Sequence, residues 1–147
     1  LLPQFPHKEK VHIIEGNALT YIMTQEDGAF DYGFSDFWGG LSDGLPLYLS
    51  FAKGCARFRH TMHDYWIENA FIDYYFRPAV MIYLMEKVLG RKEKPLDQGK
   101  KAAKILRKFI SFLDKEPSAL EREEDIYHLL DTKTLAALVR KFAAECL

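Results

Sequence analysis

The stretch FRHTMHDYWIENAFIDYYF, Phe58 to Phe76, decides the fold. At 100° per residue, Phe58, Met62, Tyr65, Trp66, Ile72 and Phe76 cover one broad side of a helix. His60, His63, Asp64 and Ile67 share the other side, with Arg57, Thr61 and Glu68 beside them. The spacing predicts one long helix, apolar over most of its circumference, at the centre of the domain. Pro78 then has to end or kink it, because proline lacks the amide hydrogen and crowds the preceding turn.

Downstream the pattern stays helical. Pro78 can open a helix running to Leu89, with Gly90 as its C-terminal cap and RKEKP as a charged connection. From Leu96 to about Leu113, the residues Ala102, Ile105, Leu106, Phe109, Ile110 and Leu113 form one apolar stripe. Pro117 starts another helix through Leu130, and Asp131 or Thr132 caps a last one that buries Leu135, Leu138, Val139 and Phe142.

Upstream, Leu47 to about Arg57 reads as a short helix interrupted by Gly54, preceded by a loop, FWGGLSDGLP, from Phe37 to Pro46. Phe30, Tyr32 and Phe34 alternate with Asp31, Gly33 and Ser35, the period of a half-buried strand. VHIIE, Gly16-Asn17 and ALTYIMT read as two strands joined by a tight hairpin turn. The competing reading of this segment is a helix capped by Asn17 and stopped by Gly28, and the alternative for the fold as a whole is all-α. Leu1 to Lys10, with two prolines, suits an extended arm. The expected architecture is therefore mainly α: an arm over 1–10, then a single domain over 11–147. That domain is a bundle of five or six helices, with a small N-terminal β-hairpin or meander packed on the aromatic helices.

Composition bounds the function. The chain has 147 residues, the usual size of one domain, and at 48% hydrophobic and 28% charged it is neither disordered nor low in complexity. The formal net charge of −1 argues against a dedicated nucleic-acid binder. Charge is nonetheless uneven. Lys plus Arg number 5 against 10 acids over residues 1–75, and 15 against 11 over 76–147. Of 21 aromatic residues, 15 lie between Phe30 and Tyr83, which places the core there. Cys55 and Cys146 form no C-x-x-C pair, so neither a disulfide framework nor a cysteine zinc cluster is expected, and a reducing, cytoplasmic setting is. The longest apolar run, around Ala79 to Leu89, is about half the ~20 residues a membrane span needs. Leu at position 1 is consistent with processing from a longer precursor.

Two constellations could carry function. On the expected helix His60, His63, Asp64 and, as a further ligand, Glu68 converge, and imidazole with carboxylate suits a divalent metal that activates a water for hydrolysis. Arg57, Thr61, Asp64 and Glu68, within about 60° of one another on that helix, also fit a solvated stripe with Arg57 and His60 balancing the carboxylates. The dipeptide His63-Asp64 resembles the signature of the HD-type metal-dependent phosphohydrolases, which are all-helical. That resemblance implies an earlier histidine and a later aspartate as further ligands, for which His12 and Asp131 can be nominated. The second constellation is aromatic: Phe37 and Trp38 on the glycine-rich loop, with Tyr65 and Trp66, could line a groove for a protein segment or a small apolar molecule. Lys100, Lys101, Lys104, Arg107 and Lys108 form a basic ridge, read first as the wet side of an amphipathic helix. Cys55 reads as a small buried hydrophobe.

The expectation is a non-enzymatic binding or regulatory module with an aromatic-lined groove. The alternative is a metal-dependent, HD-like phosphohydrolase, and only under that alternative is a cofactor, a divalent metal, implied. Aromatics left exposed on the monomer would support a homodimer.

Overall fold

Asn17 settles the front of the chain. Its side chain accepts the Thr20 N–H at 3.1 Å and opens helix α1, Ala18–Met23, the capped alternative rather than the hairpin. Val11 to Asn17 forms no regular element, and Ile13 and Ile14, 65% and 59% exposed, have no common face to bury. An isolated two-stranded hairpin without such a face has little to hold it. The computed structural model describes residues 4, 6–90, 99–116 and 130–147. Within the segment expected to be an extended arm, Lys8–Lys10 makes one exposed 3₁₀ turn.

The alternation at Phe30 to Phe34 does produce a strand, β1, Tyr32–Ser35. Its partner overturns the central expectation: Met62–Tyr65 is not helix but strand β2, paired parallel to β1 with Tyr32 opposite Met62 and Phe34 opposite Asp64. Between them runs α2, Leu41–Cys55, the helical crossover that a parallel pair requires. α2 begins inside the expected loop and carries Pro46 within it. Gly44 lets it approach the next helix, since a Cβ there would lie 2.9 Å from Phe71 Cζ.

Helix resumes only at α3, Glu68–Phe71, and continues through an expanded π turn, Ile72–Phe76, into α4, Arg77–Leu89. Pro78 stands in the first turn of α4, as expected of a helix it opens, although the rod runs on through it without a break. The wider turn just ahead of it, with the Arg77 N–H reaching back to the Ile72 carbonyl, absorbs the amide that proline lacks. Gly90, at φ 63°, closes α4 as expected. α5 spans Lys100–Leu113, and α6, Thr132–Cys146, is capped by Asp131, which accepts the Thr134 N–H at 3.0 Å. The helix expected over Pro117 to Leu130 lies, but for Leu130, outside the described residues, as do 96–98.

The fold is mainly α, with five helical rods among the described residues and one small parallel sheet. Tyr48, Phe71, Phe76, Phe109, Leu135, Val139 and Phe142 are sealed in one hydrophobic cluster. Phe109 bridges Phe76 and Phe142 at ring separations of 4.9 and 5.3 Å. Arg77 ties α4 to α6 through the Leu130 carbonyl and the Thr132 hydroxyl. No helix among the described residues is long and apolar enough to cross a membrane.

Candidate functional site

Because β2 is a strand, its successive side chains point to opposite sides of the sheet, and the expected metal set is dispersed. His60 lies before β2, 77% exposed, with Nδ1 3.0 Å from Asp27 Oδ2. Its backbone N–H also bonds Asp27, and that bond, with the imidazole's behind it, holds the Asp27 carboxyl below the usual range. His63 turns inward, between the rings of Phe58 and Tyr65 at 5.8 and 6.4 Å. It needs Gly33 opposite, where a Cβ would come 2.9 Å from Nδ1. Asp64 turns outward and accepts the Tyr32 hydroxyl at 2.9 Å.

Glu68 is buried at the start of α3. Its Oε1 accepts from the Tyr48 hydroxyl at 2.5 Å and from Arg140 Nε at 2.7 Å, and its Oε2 accepts from the other arm of Arg140 at 2.6 Å. The ligands nominated on the HD-type resemblance are also apart: His12 lies in the irregular exposed segment, and the Asp131 carboxylate is occupied as a helix cap. Among the described residues, no three His, Cys, Asp or Glu side chains are placed to hold a metal ion.

The aromatic set divides. The Phe37 and Trp38 rings lie tilted 4.2 Å apart and pack edge-on against Phe51, and Trp38 lies 6.4 Å from Tyr65. The Trp38 indole N–H is satisfied by the Ser35 carbonyl at 3.1 Å. Phe37 stays 39% exposed, whereas Trp38 packs half-buried against Tyr65, which is 6% exposed and belongs to the core. Trp66, next along the chain, is flung to solvent at 66%.

What the sequence did not single out is the pairing of two strands whose outward residues are all exposed. Tyr32 and Phe34 on β1 and Met62 and Asp64 on β2 make one bare face, continued by Trp66. Its inward face carries Ser35 and Tyr65, both buried. Arg140 was missed as well; it stands among alanines on α6, its guanidinium 4.9 Å over the Tyr65 ring. Two clefts meet at Arg140: one of about 400 Å³ reaching Cys55, His63 and Tyr65, and one of about 870 Å³ between Asp64, Asn69 and Lys133. Burial, with the charge of Arg140 second, pushes the His63 imidazole down, and its Nε2 is buried without a partner. Burial likewise pushes the Cys55 thiol up. That shift keeps the thiol protonated, the opposite of what activates a nucleophile.

No family model matches the chain, and no curated protein or solved structure matches it either.

Proposed function

We propose that this chain is a protein-interaction module, and that the bare face of the β1–β2 pair is where a segment of the partner rests. The observation that carries the reading is the exposure of a parallel pair. Parallel sheets occur almost only with both faces covered, because their crossovers lay helices on them. Here one face is covered and the other presents Tyr32 at 49%, Phe34 at 57%, Met62 at 71% and Trp66 at 66% exposed. Contiguous apolar surface of this kind marks contact sites, and aromatic residues and methionine are enriched where proteins meet. The aromatic groove expected from the sequence shifts accordingly: Trp66 stays in the surface, Phe37 sits at its margin, and Trp38 and Tyr65 support it from beneath.

Selection of random displayed peptides on the folded chain tests this. Enriched peptides are expected to lose tenfold or more in affinity against Phe34→Ser and against Trp66→Ala, and to keep it against Val88→Ser, an exposed apolar site on α4. Enriched peptides indifferent to both face variants, or no enrichment at all, would overturn the reading.

A further inference from the structure

Resting on that interaction reading, we propose that the occupant is an extended segment bearing basic side chains, added as a third strand along the outer edge of β1. The ladder fixes which main-chain groups are free. The Met62 N–H bonds the Asp31 carbonyl at 3.0 Å and the Trp66 N–H bonds the Ser35 carbonyl at 3.1 Å. With Tyr32 opposite Met62 and Phe34 opposite Asp64, the main chain of Asp31, Gly33 and Ser35 faces β2. The N–H and C=O of Tyr32 and Phe34 therefore point away from it. Among the described residues the sheet has no third strand to take them. The two residues that offer these groups are the same two that hold their side chains on the bare face, so one incoming strand gains main-chain bonds and apolar contact together. That is the chemistry of strand addition at an open edge.

Charge selects the occupant. Asp31 and Asp36, both exposed, flank β1, and Asp64 stands in the face itself. From Gly54 to Phe76 the chain carries two arginines. Arg57 is engaged by the main-chain carbonyls of Ile22 and Gln25, and Arg59 is exposed. His60 is paired with Asp27. On the β2 side Lys133 and Arg140 share a cleft with Asp64, whereas the outer edge of β1, flanked by Asp31 and Asp36, is acidic, and lysine or arginine on a strand incoming there is favoured. The same acids disfavour a second copy: pairing β1 with itself gathers two pairs of aspartates, Asp31 and Asp36 of each chain, around one short ribbon, where like charges repel.

The probe is a peptide of about eight residues alternating valine and lysine, with a valine–glutamate counterpart and two versions N-methylated on one or the other alternating set of amides. Affinity is read by fluorescence anisotropy. The lysine peptide is expected to bind, the glutamate peptide at least tenfold more weakly, and the doubly changed Asp31→Asn, Asp36→Asn chain several-fold more weakly. Methylation of one set is expected to abolish binding and of the other to spare it, because a strand presents alternate amides to each side. All changes on the peptide leave the protein's own folding untouched. Equal binding of both methylated peptides overturns strand addition, as does failure of the lysine peptide when displayed peptides sensitive to Phe34→Ser still bind; in both cases the interaction face survives. Indifference of every peptide to Phe34→Ser removes both readings. Concentration-dependent dimerisation that the lysine peptide does not compete against would replace the basic partner with a second copy.

Discussion

Arg140→Met isolates what the buried Glu68–Arg140 pair contributes. Methionine keeps an apolar stem over the Tyr65 ring and removes the charge, leaving a Glu68 side chain that is 8% exposed with the Tyr48 hydroxyl as its remaining partner. Breaking a buried pair from one side costs about 3–5 kcal/mol, because the surviving charge is stranded. The expected loss at pH 7 is therefore about 3–5 kcal/mol by urea unfolding, followed through tryptophan fluorescence. Glu68→Gln combined with Arg140→Met removes the stranded charge, and is expected to recover at least half of the loss. A single variant within about 1 kcal/mol of the parent at pH 7, or a double variant no better than the single one, would refute the reasoning.

Gly44→Ala is expected to destabilise by about 1–3 kcal/mol in the same assay, since its Cβ would meet the fully buried Phe71 ring at 2.9 Å. His63→Phe replaces a ring whose Nε2 is buried and unpartnered, and is expected to be neutral or stabilising by about 1 kcal/mol at pH 7. The pH profile of His63→Phe gives the sharper reading. Burial and Arg140 lower the folded His63 pKa, so the unfolded chain binds its proton first. The parent then loses stability as pH falls below about 6.5 toward that lowered value, and His63→Phe is expected to flatten this part of the curve.

Most helices were legible because their apolar stripes run long enough to be unambiguous: Leu106, Phe109 and Leu113 on α5, and Leu135, Val139 and Phe142 on α6, are all buried as their spacing demands. Caps were legible for the same local reasons at Asp131 and Gly90. Phe58 to Phe76 misled because its apolar residues fit two periods. Met62, His63, Asp64 and Tyr65 present an alternation only four residues long, and its outward members, Met62 and Asp64, differ in polarity, so no hydrophobic contrast announces a strand. The match to β1 is a pairing over some thirty residues, which no local window contains. With the strand unread, the histidines and Asp64 were placed on a shared helical face that does not exist. Arg140 was invisible for a different reason: a lone arginine among alanines becomes informative only when Glu68 is seen to be buried opposite it.

The bare face is held in place from behind, and this sets the kind of complex it can form. Tyr65 is clamped beneath Arg140, Ser35 is fixed by the Trp38 indole at its carbonyl, and the Thr61 hydroxyl bonds the Phe30 carbonyl at 2.6 Å. The module therefore has little left to order on binding, and the entropy loss falls on the incoming segment. Fully burying a large apolar side chain is worth roughly 1.5–3 kcal/mol, so covering Tyr32, Phe34, Met62 and Trp66 from their half- to two-thirds-exposed state yields on the order of 4–8 kcal/mol. A few edge hydrogen bonds add about 1 kcal/mol each. Set against an association cost of at least about 4 kcal/mol, the surplus corresponds to dissociation constants in the millimolar to micromolar range. A face of this size suits a segment that comes and goes. A permanent subunit needs a larger apolar area than Tyr32, Phe34, Met62 and Trp66 provide, so nanomolar affinity for a short strand would point to contacts beyond them, with the clefts beside Arg140 the nearest surface able to supply them.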